Sequence, residues 1–438
     1  MIPLYQKLFL LLALFLPFSF ALSPTKTIDL NILKLFIPII FLFWLANSLL
    51  HRKIIIDNRP RFWFLITFLF IVFLSFFWTS APESALRKIL FFTTTIPLYF
   101  IVYTNNPNQN FQNKLLKYLV LGSFISACLA LAFSSLQFII GLNPTLIFLR
   151  TYISPFFLGH SMATLVNQYS SWLVNISGKT ILRTFSTFPD PHLFSLYLSM
   201  TLPLTIYLYK KHSQKKYLYF FTIILLTILL SFSRAAYLAI IIGGIFLLIT
   251  SISKNFFKKR LLLLYSIFIL ILFLFITPNP LISRFQSSFN LQDGSNSGRI
   301  EMWKTAIKNI QEKPLFGLGL GGFADNLNSS LGFRNPIYAH NLLLDFAAET
   351  GIFNAIILLA ILLSPILFYF KELSSNKQLS IKTSPNLSQF IATSFIIFFV
   401  HSLFETPFFS IRVFPLFLIL LAINSSHAKM GYPTKWQE

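Results

Sequence analysis

Apolar residues run along this chain in long blocks separated by short polar turns, with little strict alternation of the kind a half-buried strand would need. A helix that crosses a membrane needs about 20 apolar residues, or about 17 at the short end. Twelve segments approach that measure: 6–23, 30–50, 62–78, 88–104, 115–140, 192–209, 217–232, 235–252, 260–277, 352–370, 388–405 and 411–424. The seventh and twelfth are short. The first ends in Ala21-Leu22-Ser23, as a cleaved leader would, but only Lys7 precedes its apolar run and more spans follow, so it reads as a helix. Two stretches, 142–191 and 278–340, are much longer than the other connections, and long ordered loops tend to carry function. The pattern predicts an all-α integral membrane protein of about twelve transmembrane helices, a single polytopic domain over 1–438.

Composition narrows this further. Of 438 residues, 55% are hydrophobic and 11% charged, whereas a soluble domain carries about 25% charged residues. A soluble enzyme is therefore excluded. The net charge of +22 would suggest nucleic acid in a soluble protein. Here the basic residues alternate with the spans: Arg52, Lys53, Arg59 and Arg61 in one turn, Lys210, Lys211, Lys215 and Lys216 in another, Lys254, Lys258, Lys259 and Arg260 in a third. Only Asp57, Glu372 and Glu438 among the acids share their side. Basic residues collect in cytoplasmic loops. The charge thus predicts cytoplasmic termini, an external position for both long loops and no nucleic-acid partner. Cys128 stands alone, and the histidines show no ligand spacing, so neither a thiolate site nor a metal site is expected.

Candidate chemistry lies in the predicted external stretches. Arg183 to His192 leads into the sixth span, and Ser233-Arg234-Ala235 makes a tight turn between the seventh and eighth. Arg234 at a membrane boundary is either a snorkelling anchor or an anion clamp, since a guanidinium offers a fixed fork of donors to phosphate. Arg299 follows Gly298 and opens a stretch with apolar residues at 300, 303, 307 and 310, one face of an amphipathic helix. At a helix start, free backbone N–H groups already favour an anion. The glycines at 317, 319, 321 and 322 predict a turn and are a weak nucleotide signature, with no strand before them. His340 heads an apolar stretch followed by Asp345 and Glu349; it is either a polar cap or a base whose ordinary pKa suits proton transfer near neutrality.

In order and spacing, these pieces resemble the O-antigen ligase and polymerase superfamily over 183–352, a core that includes the loop 278–340. The resemblance rests on Arg234 in its Ser-Arg-Ala turn, and on Arg299-x-x-x-Trp303 running into Pro314-x-x-Gly317-x-Gly319. It ends on His340-Asn341, then Glu349-x-Gly351. It implies a GT-C-like membrane glycosyltransferase working without metal or cofactor in the bacterial inner membrane. The donor would be a glycan on undecaprenyl pyrophosphate at the external face of the bilayer, and the acceptor a glycan, a lipid-core sugar or a protein hydroxyl. The resemblance assigns His340 as the base and Arg234 and Arg299 as pyrophosphate ligands, with Arg183, Trp303, Asn341 and Glu349 as supporting residues. The segment Asp190-Pro191-His192 stands where many members have Asn, and no role is assigned to it. A twelve-span transporter or flippase is the rival reading. Carriers usually place ionisable groups near the bilayer midplane, and Glu405 and His401 come closest to that here.

Overall fold

The computed structural model describes residues 3–25, 29–51, 56–105, 108–168, 171–176, 178–251, 294–324, 338–375 and 385–423. Helices occupy eleven of the twelve predicted segments; the ninth, 260–277, lies outside the described residues, as do 278–293 and 325–337 of the second long loop. Among the described residues, six helices are long and apolar enough to cross a membrane: Leu33–Leu50, Pro60–Trp78, Pro82–Asn105, Gln109–Ile139, Arg234–Ser251 and Ile352–Ser374. Leu4–Phe18, Leu387–Ser402 and Val413–Ile423 are shorter apolar helices. Together they make a mostly helical, multi-pass membrane protein.

Local chemistry sets the helix starts. Pro occupies the first position of Pro60–Leu74, Pro82–Thr95 and Pro191–His212, where its missing N–H costs nothing. Asn108 and Asp190 cap the helices that follow them by accepting from two backbone amides each. Pro82 moves the start of the fourth segment back from 88, which brings Lys88 inside a helix.

Val413–Ile423 is buried at every residue, and Pro191–His212 along most of its length. These two lie at the centre of the bundle. Small residues let their neighbours close in: a Cβ on Gly122 would meet the Leu14 carbonyl oxygen at 2.3 Å, and one on Gly243 the Ile397 side chain at 2.5 Å.

Two expectations need correction. The chain is not purely helical: Ala21–Leu22 pairs with Leu30–Asn31, and Leu173–Ile176 pairs antiparallel with Lys179–Leu182. These loops satisfy backbone groups by pairing them, and the Gly178 N–H donates to the Asn175 side chain at 3.1 Å to turn the second hairpin. Second, Arg299 does not open its helix. The helix spans Gly294–Glu312, because Gly298 faces open space and a single glycine in a helix costs only about 1 kcal/mol relative to Ala. The amide of Arg299 thus belongs to the helix interior, and only its guanidinium is left to meet an anion.

Candidate active site

Several helix ends converge at one end of the bundle. Asn341 caps Leu342–Thr350, its side chain accepting from the amides of Leu343 at 3.1 Å and Leu344 at 3.2 Å. That cap places His340 just outside the helix in a left-handed conformation, φ +52, uncommon for a residue with a side chain. Neighbours on both sides hold it there. The Ala339 amide donates to Asp345 Oδ1 at 2.5 Å, and Trp303 Nε1 donates to the Ala339 carbonyl at 3.0 Å. The Tyr338 ring stacks on Phe409 at 5.3 Å.

The resulting turn aims the imidazole at Glu405, with Nδ1 and Oε1 2.8 Å apart. Oε1 also accepts from the Thr406 amide at 3.1 Å, and the Thr406 hydroxyl donates to Asp345 Oδ2. Burial alone would push the His340 pKa down, but the Glu405 carboxylate outweighs it and holds the imidazole above its ordinary value. Burial would likewise raise Glu405, yet the positive His340 keeps it well below the usual carboxylate range. Asp345 is pushed up to about 7 by burial, partly opposed by its bonds to Thr406 and the Ala339 amide. With Nδ1–H donated to Glu405, the Nε2 lone pair of neutral His340 is left to accept a proton.

Arg299 is close enough for its charge to act on both His340 and Glu405, lowering the pKa of each. Trp303, one turn further along the same helix, ties that helix to the His340 loop. The second arginine of the expected pair sits apart in the chain: Arg234 is half-buried at the start of Arg234–Ser251. The preceding Ser233 hydroxyl lies 3.1 Å from Nδ1 of His192. Arg183 is buried and donates through Nε to the Ser231 carbonyl at 2.6 Å and through Nη1 to Ser171 at 3.0 Å. It therefore holds the Ser231–Ser233 turn against its own segment. Asp190 joins this group, pushed up to about 6 by burial and by the Glu405 charge, against the amides it caps and Arg183.

Glu349 forms a buried ion pair with Lys88, whose Nζ lies 2.8 and 2.9 Å from the two carboxylate oxygens. The glycine run beside it is a backbone clasp. The amides of Leu318 and Gly319 donate to the carbonyls of Ala348 and Glu349 at 2.9 and 2.8 Å. A Cβ on Gly319 would stand 2.4 Å from Thr79 Cα, and one on Gly351 would stand 2.0 Å from the Leu315 oxygen. Among the described residues, no group of three or more His, Cys, Asp and Glu side chains could hold a metal ion.

The site thus gathers His340, Asn341, Trp303 and Arg299, while Arg234 follows the neighbouring turn that Arg183 holds, and Glu349 anchors the clasp. Sequence reasoning placed Glu405 only among carrier-like groups and gave Lys88 and Asp345 no role. Comparison with known proteins points the same way as the geometry. Residues 219–359 match the O-antigen ligase family. Over 236 residues, 52% of this chain, the sequence is 27% identical to the ComP-specific O-oligosaccharyltransferase of Acinetobacter baylyi. The match covers 41% of that protein, so the chain spans less than half the length of the curated relative it matches.

Proposed function

We propose that this protein, whose residues 219–359 match the O-antigen ligase family, is a membrane glycosyltransferase that moves a glycan from a lipid pyrophosphate to an acceptor hydroxyl. The observation that carries this reading is the His340–Glu405 pair at 2.8 Å, set in the field of Arg299. A sugar hydroxyl is a poor nucleophile, and a positioned base helps it. In this mechanism Nε2 of neutral His340 takes the hydroxyl proton as the oxygen attacks the anomeric carbon. The bond from that carbon to the pyrophosphate oxygen breaks, and the lipid pyrophosphate leaves with the electron pair. Glu405 stabilises the imidazolium through Nδ1–H. Attack opposite the leaving group inverts the anomeric centre.

Arg234 and Arg299 would meet the growing charge on the pyrophosphate, a task fixed guanidiniums perform without a metal. Undecaprenyl pyrophosphate suits the site because its long chain can remain in the bilayer while its head meets the loops. The twelve-helix GT-C arrangement, the external active site in an inner membrane and the cytoplasmic termini belong to the same proposal. The acceptor stays open between a glycan end, a lipid-core sugar and a protein hydroxyl.

The test is reconstitution of the purified full chain with undecaprenyl-pyrophosphate-linked glycan and each acceptor class, read by mass. Transfer with release of the lipid pyrophosphate, unchanged by EDTA, is expected. No transfer to any acceptor, with lipid-linked glycan crossing proteoliposomes instead, would replace the enzyme with the transporter or flippase reading. Activity lost to EDTA and restored by a divalent cation would overturn the metal-free mechanism.

A further inference from the structure

At the other end of the helix Pro60–Trp78 lies a second charged group that the proposed reaction does not use. Thr79, just past one end, donates to the Leu320 carbonyl at 2.8 Å beside the glycine clasp. Arg61 stands in the first turn at the opposite end, about 25 Å away at 1.5 Å per residue. Its side chain is 4% exposed, and none of its Nε, Nη1 and Nη2 atoms has a hydrogen-bond partner.

Of the neighbours of Arg61, the Tyr99 hydroxyl comes close enough to act on the guanidinium, but its own proton is donated to Asp57. Asp57 lies 3.8 Å from Nε, beyond hydrogen-bond reach, and its carboxylate already accepts from the Tyr99 hydroxyl at 2.7 Å and the Arg59 amide at 3.1 Å. The Phe368 ring lies 5.6 Å from the guanidinium carbon. A ring can engage only the face of a guanidinium, which leaves its in-plane N–H donors for an anion. Arg59 brings a second positive charge 3.7 Å from the same Asp57. A buried guanidinium whose donors go unmet is costly, and natural structures rarely leave one so.

We infer that Arg61, with Arg59 beside it, binds the phosphate of an anionic phospholipid at the membrane end opposite His340. A lipid is favoured over a soluble ion by what surrounds the site. Trp63 and Phe64, on the same helix turn, are large and exposed, as aromatic anchors at a headgroup layer are. A lipid can bring its phosphate in from the side, along the apolar helix face, where a hydrated ion would have to shed its water.

The experiment uses the full chain, delipidated in detergent, in native mass spectrometry with phosphatidylglycerol, with diacylglycerol of the same chains, and with inorganic phosphate. Wild-type protein should retain one phosphatidylglycerol at least tenfold better than diacylglycerol, and Arg61→Gln should lose that preference. Asp57→Asn removes the competing negative charge and should retain the lipid as well as wild type or better. If Arg61 were there only to pair with Asp57, Asp57→Asn and Arg61→Gln would both lower the melting temperature and phosphatidylglycerol would raise it in neither protein. That result would overturn the inference. Equal protection by inorganic phosphate would overturn the lipid as its source.

Discussion

His340 combines an unusual backbone conformation with a side chain locked on Glu405, and the two have one cause: the Asn341 cap and the Asp345 and Trp303 bonds fix the turn from both sides. His340→Ala should lower transfer by about 10²–10⁴-fold, the span typical of a lost acid–base group. Donor binding, followed by titration of the lipid-linked glycan, should survive. The pH dependence separates the base from its partner. Only neutral His340 can take a proton, so kcat/KM should rise with pH through its elevated pKa. Glu405→Gln removes the charge that raises that pKa, so the acidic limb should move to lower pH while the plateau falls. Arg299→Gln removes a charge that depresses it, and the limb should move to higher pH. A Glu405→Gln profile shifted upward would rule out the pair as drawn. At Arg234 and Arg299, substitution by Lys should still raise the donor KM by about tenfold, since a point charge replaces a fork of donors. Arg234, Arg299, Trp303 and His340 could be proposed from the sequence because each sits in a short local motif. Glu405 was not: it lies 65 residues from its partner, and no local spacing records a contact made only by packing.

At the scale of elements, hydropathy located the helices well because each must bury or expose a whole apolar surface to lipid. It missed where charges fall inside them. Lys88 was taken as the edge of a span, yet with Pro82 at the first position it lies within the helix and reaches Glu349, 261 residues away. Both partners are almost fully buried, so breaking the pair by Lys88→Met or Glu349→Gln should cost about 3–5 kcal/mol, because a charge is stranded. Lys88→Met with Glu349→Leu should recover much of that loss, and thermal melting in detergent distinguishes the two cases. The glycine clasp is governed by space in the same way. Gly319 at φ +88 cannot accept a Cβ 2.4 Å from Thr79 Cα without moving the helix end, so Gly319→Ala should lower the melting temperature. The glycine run predicts only a turn in isolation, and the amides of Leu318 and Gly319 are indeed taken up by the carbonyls of Ala348 and Glu349. By contrast, Gly298 marked a helix boundary in the sequence and proved to be interior.

Over the whole molecule, orientation decides whether the site can meet its donor. Arg59 and Arg61 stand at the end of the helix Pro60–Trp78 remote from the glycine clasp, and positive residues favour the cytoplasmic side. A carrier with its glycan in the external leaflet could then reach the His340 end without its chain leaving the bilayer. Two exposed positions test this. Glu83 lies at the start of Pro82–Thr95, beside the Gly321 turn, and Gln214 lies in the turn between Pro191–His212 and Lys215–Leu229. Cys128 is the single cysteine, so Cys128→Ala clears the background for either one. In intact cells a membrane-impermeant maleimide should label Glu83→Cys at once and Gln214→Cys only after permeabilisation. The reverse pattern would put His340 in the cytoplasm, where an externally displayed lipid-linked glycan could not reach it. The mechanism would then need a donor on the inner leaflet, whatever the chemistry of the His340–Glu405 pair.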